Sequence, residues 1–312
     1  MPSLASFARK NLEKILSPFG QIDVLLLYGV VGGKLKKYLK GKELASKIWL
    51  PSGNIPYLIK RGSKLEPLFI EEFVDAITVE FLEVRAEKEF SSAKRDLTEA
   101  QNKVWNYFVP RKLADFFYAT NGESAGRPVD RIFFDIDRGQ DMSAEQAQEA
   151  ARFFVQAIEE DEDIEKILGN KDPFVCWTGN SFHVFLFLDG SKPNSFYERY
   201  FKYSKDEPEA SFTGRWAKKV DDRVGFKVVG GHEKLPKSIN IDPSQTPSGK
   251  LCRVPLGSLH MKDAKTIDGI SIPIENKMLE DENLFEKLKK YSPKEVVERI
   301  ESFAERLPKS FR

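Results

Sequence analysis

One short segment, residues 131–137 (RIFFDID), constrains the fold more than any other stretch of this chain. Its apolar run predicts a buried strand, and the strand ends in Asp135 and Asp137. Residues two apart in a strand share a face, so the two carboxylates lie side by side. Like charges held together are costly unless a cation neutralises them, and carboxylate oxygens suit Mg²⁺ or Mn²⁺. The alternative is two solvated acids where a strand meets a loop.

The residues after this strand predict a layer of helix and further strands. Ser143 and Gln146 form a capping-box pattern, and the apolar residues of 147–158 recur at helical spacing. Two apolar runs follow at 174–177 and 182–188 and predict strands. The pattern is therefore that of a sheet with a helix packed against it.

Three further polar residues lie at the start or the end of predicted strands. Ser181 and His183 open the strand at 182–188, where their spacing places the hydroxyl and the imidazole on one face. Asp242 ends a short strand at 238–241 and precedes a proline. The alternatives are a hydrogen-bonded structural histidine and an aspartate that only forms a turn.

A fourth block, residues 251–262 (LCRVPLGSLHMK), gathers three cationic side chains around a glycine-containing turn. Arg253, His260 and Lys262 supply a guanidinium, an imidazole and an ammonium. This composition is typical of phosphate binding. The alternative is an ordinary surface loop.

These blocks occur in the order found in the archaeo-eukaryotic primase superfamily, which the chain resembles. The family's hydrophobic-D-x-D, S-x-H and hydrophobic-D strands look like 134–137, 181–183 and 241–242. The block 253–262 is similar to the R-x-P-G-S-L-H-x-K stretch of archaeal small subunits, with one inserted residue. The resemblance covers 131–262, and plasmid-encoded archaeal primase-polymerases look closest.

The resemblance implies a role for each matched residue. The metal-binding catalytic carboxylates would be Asp135, Asp137 and Asp242. The residues that contact the incoming nucleotide would be Ser181, His183, Arg253, His260 and Lys262. The family departs from this chain at the turn 178–180, where small subunits often carry arginines and this chain has Thr-Gly-Asn.

The function that the resemblance implies is a template-dependent nucleotidyltransferase, a DNA primase or polymerase of DNA replication, with two Mg²⁺ or Mn²⁺ ions. Its partners would be single-stranded DNA template and primer, dNTPs or NTPs, and further primase or helicase domains or subunits. The alternatives are an end-joining or repair polymerase domain, a non-catalytic nucleic-acid-binding relative, and a metal-dependent D-x-D glycosyltransferase. An end-joining enzyme would need a lysine pocket for a 5′-phosphate, which Lys34, Lys36 and Lys37 could supply.

The number of cysteines and the length of the apolar stretches limit the cellular compartments and the metal sites that this chain can have. Cys176 and Cys252 are the two cysteines among 312 residues, which excludes a disulfide framework and a four-cysteine zinc site. We therefore expect no structural zinc and a reducing, cytoplasmic location. The longest apolar stretch, 22–31, is too short to cross a bilayer, so we expect no membrane association.

Charge is segregated although the net charge is only +1. Residues 1–61 contain eleven basic and three acidic residues, 135–165 contain two and eleven, and 192–262 contain fourteen and eight. Aromatic residues interleave with the basic ones between 196 and 216. They indicate either the core face of a helix or a surface that stacks on single-stranded bases.

The sequence therefore predicts an α+β protein with a two-layer core and an RNA-recognition-like antiparallel or mixed sheet. We expect an N-terminal α/β part at 1–125 and a catalytic core at 126–275 with a helical insertion at 190–237. C-terminal helices would occupy 276–312. Outside the motifs, the patterns predict a hairpin around a turn at 51–54, a helix over 97–117 kinked at Pro110, and tail helices at 276–290 and 293–307.

Overall fold

A computed structural model describes residues 4–15, 23–50, 55–169, 171–233, 235–263 and 266–311. Its helices are α1 (Leu4–Ile15), α2 (Leu25–Leu35), α3 (Ile70–Ala76), α4 (Val79–Glu87), α5 (Phe90–Ala93), α6 (Glu99–Tyr107), α7 (Ala144–Glu159), α8 (Glu162–Leu168), α9 (Asn194–Tyr200), α10 (Phe212–Asp221), α11 (Leu284–Lys289), α12 (Pro293–Glu298) and α13 (Ile300–Ala304). Its strands are β1 (Leu44–Leu50), β2 (Ile55–Lys60), β3 (Ala114–Ala119), β4 (Val129–Arg138), β5 (Phe174–Trp177), β6 (Phe182–Lys192), β7 (Lys227–Gly230), β8 (Ser238–Asp242), β9 (Leu251–Arg253), β10 (Leu259–Met261), β11 (Ile267–Ile270) and β12 (Ile272–Ile274). Short 3₁₀ turns lie at Pro208–Ala210, Asn276–Glu280 and Lys309–Phe311.

The chain divides into two compact units, each built from separated segments. The N-terminal unit contains Met1–Ala119, Leu251–Ile272 and Tyr291–Arg312. The central unit contains Thr120–Lys250 and Pro273–Lys290. The domain boundaries at 125 and 275 stay a prediction.

In the N-terminal unit, the strands of the larger sheet follow the order β2-β1-β3-β9, and neighbours run antiparallel. One face of this sheet is packed with aromatic side chains. Phe116 of β3 lies 4.8 Å from the ring of Tyr28 in α2 and 5.1 Å from Phe73 in α3, measured between ring centroids. β1 and β2 form the predicted hairpin, whose turn at 51–54 lies outside the described residues.

The helix predicted over 97–117 is wrong in its second half. α6 begins behind the capping box of Thr98 and Gln101 and ends at Tyr107. Residues after Pro110 form β3, which pairs with β1 on one side and β9 on the other. The apolar residues of this stretch have helical spacing, but β3 is hydrogen-bonded to a strand on each edge. Strand formation depends on such tertiary context more than on local sequence pattern.

In the central unit, the strand order is β12-β5-β6-β4-β8-β7. The neighbouring strands β5 and β6, β6 and β4, and β4 and β8 are antiparallel, whereas β7 and β8 are parallel. The strands predicted at 131–137, 174–177, 182–188 and 238–241 are confirmed. They form the middle of this mixed sheet.

Helices α7 and α10 cover one face of the central sheet. Phe134 of β4 lies 5.0 Å from the ring of Phe154 in α7 and 6.0 Å from Trp216 in α10. The Trp216 indole donates a hydrogen bond of 2.9 Å to Asp161, which caps α8. The capping box of Ser143 and Gln146 at the start of α7 is confirmed.

The stretch 190–237, predicted to be a helical insertion, contains α9, a 3₁₀ turn, α10 and β7, and the insertion itself stays a prediction. Phe201, Phe212 and Trp216 are buried and pack on one another. For these three residues the core interpretation is confirmed, and stacking on bases is wrong. Their apolar surface stabilises the helix layer.

The C-terminal residues form shorter elements than predicted. The stretch 276–290 is a 3₁₀ turn followed by α11, and 293–307 is divided into α12 and α13. The predicted cap is confirmed, because Ser292 and Glu295 form a capping box with Pro293 as the first helical residue.

The α+β class is confirmed as well. In the part of the chain that the structure describes, no helix combines the length and apolarity needed to cross a bilayer.

Candidate active site

The two aspartates of β4 lie on the face of the central sheet that is opposite α7 and α10. Phe134 and Ile136 alternate with them and are fully buried, and Phe134 contacts both helices. Since side chains alternate along a strand, Asp135 and Asp137 point to the other face. Both are half-buried. β4 therefore directs its apolar side chains into the core and its carboxylates into one patch.

The register of the sheet brings two more motifs beside Asp135. This residue lies directly opposite His183 of β6 on one side and directly opposite Asp242 of β8 on the other. Directly opposite residues share a face, with Cβ atoms about 5 Å apart. Asp135, Asp137, His183 and Asp242 are thus neighbours on one face, although Asp135 and Asp242 are more than a hundred positions apart in the chain.

His183 is held between the carboxylate patch and the core. Its Nε2 atom lies 3.6 Å from Oδ1 of Asp135, and its ring meets Phe133 edge-on at 4.7 Å. The residue is only 7 % exposed. A separation of 3.6 Å is too long for a hydrogen bond. The imidazole therefore lies next to the Asp135 carboxylate without a hydrogen bond between these two atoms.

Asp242 is fixed by the turn that follows β8. Its Oδ1 accepts a hydrogen bond of 2.8 Å from the Ser244 backbone, and its Oδ2 accepts one of 2.9 Å from the Ser244 hydroxyl. The turn-forming interpretation of Asp242 therefore applies, but it does not explain the pairing with Asp135. Like charges directly opposite each other in a sheet are destabilising, and a bound cation removes that cost.

The Ser181 side chain has a structural partner. Its hydroxyl donates to the backbone carbonyl of Ile136, between the two aspartates of β4, and its backbone N–H donates to the Thr178 hydroxyl at 3.0 Å. Ser181 thus fixes the end of β6 against β4. A contact between its hydroxyl and a nucleotide stays a prediction.

Arg138 brings a guanidinium to the turn that lacks an arginine of its own. Its Nη2 donates to the side-chain oxygen of Asn180, and its Nη1 donates to the Met142 carbonyl at 3.4 Å. Arg138 was not predicted from the sequence as a site residue. The available signal was a cation directly after Asp137, because consecutive residues at a strand end reach the adjoining loop.

Arg253 belongs to the N-terminal unit. It is buried in β9, where its Nη1 lies 3.4 Å from Oδ2 of Asp115 and donates to the Leu259 carbonyl at 2.5 Å. Lys47 lies 3.1 Å from the same Asp115 oxygen. The guanidinium therefore has a carboxylate and a carbonyl as partners within its own unit, and its contact with a triphosphate stays a prediction.

His260 and Lys262 also belong to the N-terminal unit. The Nδ1 atom of His260, in β10, lies 3.4 Å from Oδ2 of Asp268. The Lys262 backbone N–H donates to the Thr266 carbonyl at 2.9 Å. The structure therefore places both residues at the β10–β11 hairpin, and their roles stay a prediction.

The chemistry of the carboxylate patch fits a hard divalent ion. Asp135, Asp137 and Asp242 offer oxygen atoms, which Mg²⁺ and Mn²⁺ prefer. Mg²⁺ is usually held by one or two carboxylates together with waters and substrate phosphates. Among the described residues, no group of three or more His, Cys, Asp and Glu side chains is arranged to hold a metal ion, so a metal at this patch stays a proposal.

A cavity of about 380 Å³ adjoins the patch and shares Asp242 with it. Its other walls come from the end of β7 and from the segment after α9. His232 and Lys202 line this wall, and neither was predicted from the sequence as a site residue. The available signal was the sequence Gly-Gly-His at the end of β7, since paired glycines allow close approach to a backbone.

The pKa of Tyr197 in this cavity is raised by burial and further by the negative charges of Asp242 and Glu198. Its hydroxyl therefore stays protonated at neutral pH. Beside Asp242 it is a hydrogen-bond donor and not an additional negative charge.

No protein-family model and no curated protein sequence matches the chain. Among solved structures, the polymerase domain from Mycobacterium tuberculosis ligase D in complex with DNA is similar, with a TM-score of 0.57. The two chains are 17 % identical, and the similarity covers 94 % of each. The protein therefore has a fold like that of this polymerase domain along nearly its whole length.

Proposed function

We propose that the protein is a template-dependent nucleotidyltransferase, a DNA primase or polymerase that joins nucleoside triphosphates to a primer 3′-hydroxyl. The observation that carries this proposal is the strand register, in which Asp135 lies between Asp242 and His183 on one face. The similar polymerase domain was solved in complex with DNA, which supports a nucleic-acid substrate.

Asp135, Asp137 and Asp242 would hold two divalent ions. When bound, such ions stabilise the attacking and leaving oxygens of a phosphoryl transfer. In the proposed reaction the primer 3′-oxygen forms a bond to the α-phosphorus and its proton passes to water. The bond between the α-phosphorus and its bridging oxygen breaks, and pyrophosphate leaves with the electron pair.

The incoming triphosphate would lie on the β6 side of the carboxylates. His183 adjoins Asp135 there, and Arg138 places its guanidinium at the turn before β6. Cationic and hydrogen-bonding groups in this position offset the charge of the phosphates. Arg253, His260 and Lys262 are further candidates on the resemblance to archaeal small subunits.

We place the activity in DNA replication, with an end-joining or repair polymerase as the alternative. The block 253–262 resembles replicative small subunits, and two of the lysines that could form a 5′-phosphate pocket have acidic partners. Lys34 lies 2.6 Å from Glu301, and Lys36 lies 3.5 Å from Asp75. Extension across a gap that depends on a downstream 5′-phosphate would favour the alternative.

Primer extension tests the activity directly. A labelled primer on a longer template is incubated with dNTPs or NTPs and Mg²⁺ or Mn²⁺. We expect extension by the wild type and a loss of about 100-fold or more for Asp135→Asn and for Asp242→Asn, the size seen when one transition-state contact is removed. Asp141→Asn is the matched control, since Asp141 is an exposed acid just beyond β4. A reaction without primer tests initiation.

Two results would overturn the proposal. The first is a wild type that extends no primer with either ion and either nucleotide class while it binds DNA as tightly as Asp135→Asn. That outcome identifies a non-catalytic binding protein. The second is equal extension by the wild type and Asp242→Asn.

A further inference from the structure

The cavity beside Asp242 lies at the ends of two parallel strands. β7 and β8 run in the same direction, and the Gly231 backbone N–H donates to the Ile241 carbonyl at 2.9 Å. Residues 231–233 therefore leave the sheet next to 242–244. The segment after α9 closes the cavity, whose lining residues are Tyr197, Lys202, Tyr203, Lys205, Gly230, Gly231, His232, Glu233, Asp242, Pro243 and Ser244.

Tyr203 provides an aromatic wall whose position depends on two glycines. A Cβ atom on Gly230 would lie 2.4 Å from one edge of the Tyr203 ring, and a Cβ atom on Gly231 would lie 2.7 Å from the other edge. The ring thus lies flat across both glycines, and no other residue type leaves room for it. A ring supported on one face and lining a cavity offers its other face for stacking.

The loop that carries His232 is tied to the carboxylate patch. The side-chain amide of Asn240 donates to the backbone carbonyls of Gly231 and Glu233. Asn240 lies directly opposite Asp137 in the sheet. The wall of the cavity and the carboxylates therefore share one rigid support.

The charges of the cavity differ between its two ends. Asp242 and Tyr197 line the part of the cavity that joins the carboxylate patch. The other walls carry Lys202 and Lys205 against Glu233, and Lys205 is paired with Glu233. A ligand that spans the cavity would thus meet the proposed metal ions at one end and a net positive wall at the other.

The position in the sheet separates this cavity from the proposed triphosphate side. The order β6-β4-β8-β7 puts His183 and the cavity on opposite sides of Asp135. Neighbouring strands are about 5 Å apart, so β6 and β7, three spacings apart in this order, are separated by about 15 Å. A nucleotidyl transfer needs two substrates, one on each side of the reacting phosphorus.

We propose that this cavity holds the 3′-terminal nucleotide of the primer strand, with its base on Tyr203 and its phosphodiester near Lys202. The inference rests on the proposed function and adds the polarity of the site. In a free nucleoside triphosphate, all the negative charge is on the triphosphate, which would lie at the metal ions. The molecule has no second phosphate on the other side of its base. Only a polynucleotide end has a further phosphate for the positive wall, so the chemistry favours the primer.

Kinetics with separate substrates test the assignment. Removing a base-stacking ring weakens single-strand binding by about tenfold or more. We expect Tyr203→Leu to raise the KM for primer–template about tenfold and to change the KM for the nucleotide less than twofold, with Tyr203→Phe restoring the wild-type value. Lys202→Ala should raise the same KM severalfold. Lys218→Ala is the matched control, because Lys218 lies on α10 and does not line the cavity. A rise in the nucleotide KM alone would overturn the assignment.

Photocross-linking tests the site on the wild type and without turnover. It therefore does not depend on whether Tyr203→Leu folds. A primer with a 4-thiothymine base at its 3′ end is annealed to template, bound to the wild type without nucleotide, irradiated and mapped by peptide mass spectrometry. We expect adducts within 197–205 or 230–244. Adducts confined to other segments overturn the cavity assignment even if the protein extends primers. Adducts in the cavity without any extension would overturn the proposed function and leave the binding site standing.

Discussion

At the scale of single residues, the pairing of Asp135 with Asp242 is the feature that most needs a physical reason. Two carboxylates directly opposite each other repel, and neither belongs to the hydrophobic face of the sheet. An ordinary sheet gains nothing from this pair. A divalent ion converts the repulsion into two favourable contacts, which is why the pair supports a metal-dependent site.

Divalent ions should stabilise the wild type more than the variants of this pair. A ligand that binds only the folded state adds about 2.7 kcal/mol at a hundredfold excess over its Kd. We expect Mn²⁺ to raise the melting temperature of the wild type by several degrees, and to raise that of Asp135→Asn and Asp242→Asn clearly less. Thermal unfolding with and without Mn²⁺ measures this, and Asp141→Asn should respond like the wild type. Equal shifts in all four proteins would contradict a metal site at this pair.

A second residue-scale prediction concerns the buried ion pair of the N-terminal unit. The Arg85 guanidinium is 1 % exposed, pairs with Asp23 and donates to the Phe108 carbonyl at 2.7 Å. Burial lowers the pKa of Arg85, and Asp23 opposes that shift. Asp23→Ala leaves the charge buried without its partner, so we expect a loss of about 3–5 kcal/mol in the free energy of unfolding.

Urea denaturation measures this loss. Asp222→Ala is the comparison, since Asp222 pairs with Lys218 on the surface, where such pairs contribute about 0–1 kcal/mol. Similar losses in the two variants would show that burial does not govern the Arg85 pair.

At the scale of elements, the end of β4 depends on close contact between two backbone segments. A Cβ atom on Gly139 would lie 2.2 Å from the Leu235 carbonyl oxygen and 2.4 Å from that of Pro236. The Gly139 backbone N–H also donates to the Ser238 carbonyl at 2.8 Å. Backbone atoms have little freedom to move aside, so Gly139 fixes β4 against the start of β8.

Gly139→Ala should therefore disturb two strands at once. We expect a loss of about 1–3 kcal/mol in the free energy of unfolding, the usual cost of overpacking, together with weaker Mn²⁺ stabilisation. Urea denaturation with and without Mn²⁺ measures both. The control is Gly225→Ala, where an added Cβ atom meets no neighbour within 4 Å. Unchanged stability of Gly139→Ala would show that the segment 235–238 can shift.

The start of α7 offers a test of a cap that the sequence predicted. The Ser143 hydroxyl accepts a hydrogen bond of 3.2 Å from the Gln146 backbone, and the Gln146 side chain accepts one of 2.8 Å from the Ser143 backbone. Ser143→Ala should cost about 1 kcal/mol. Urea denaturation measures the loss, and Ser143→Asp should recover it, since aspartate also caps helices. If Ser143→Ala left the free energy of unfolding unchanged, packing alone would determine where α7 begins.

At the scale of the whole molecule, each unit draws on distant parts of the chain. The C-terminal segment Tyr291–Arg312 belongs to the N-terminal unit, where α12 packs on α1 and α2. Phe311 lies 5.3 Å from the ring of Tyr38, and Glu301 pairs with Lys34. Folding of this unit therefore requires both ends of the chain.

Deletion of 291–312 should destabilise the N-terminal unit, because the segment packs on α1 and α2, which lie more than two hundred positions earlier in the chain. The segment buries several large apolar side chains, each contributing about 1.5–3 kcal/mol, so we expect a loss of at least about 5 kcal/mol. Circular dichroism during thermal unfolding measures it. The control, Glu298→Ala with Glu305→Ala, changes exposed residues of the same segment. A deletion variant that unfolds at the wild-type temperature would contradict the assignment of this segment.

Local chemistry in the sequence determined the strands at 131–137 and 182–188, the caps at Ser143 and Ser292, and the types of residue at the candidate site. These features depend on neighbours within a few positions, so spacing and residue type suffice to find them. The second half of 97–117 could not be found in this way. Its strand exists because β1 and β9 hydrogen-bond to its edges, and those partners lie far away in the chain.

Only the tertiary structure decided which distant residues join Asp135 and Asp137. The register between β4 and β8 pairs Asp135 with Asp242, and the register between β4 and β6 pairs Asp135 with His183; no local pattern encodes either alignment. The guanidinium at Asn180 and the cavity at Tyr203 have the same origin, because each joins segments brought together by sheet pairing. The sequence by itself determined the chemical groups and the strands that carry them. Hydrogen bonding between distant strands decided their geometry, since register is a property of pairs of strands and not of one segment.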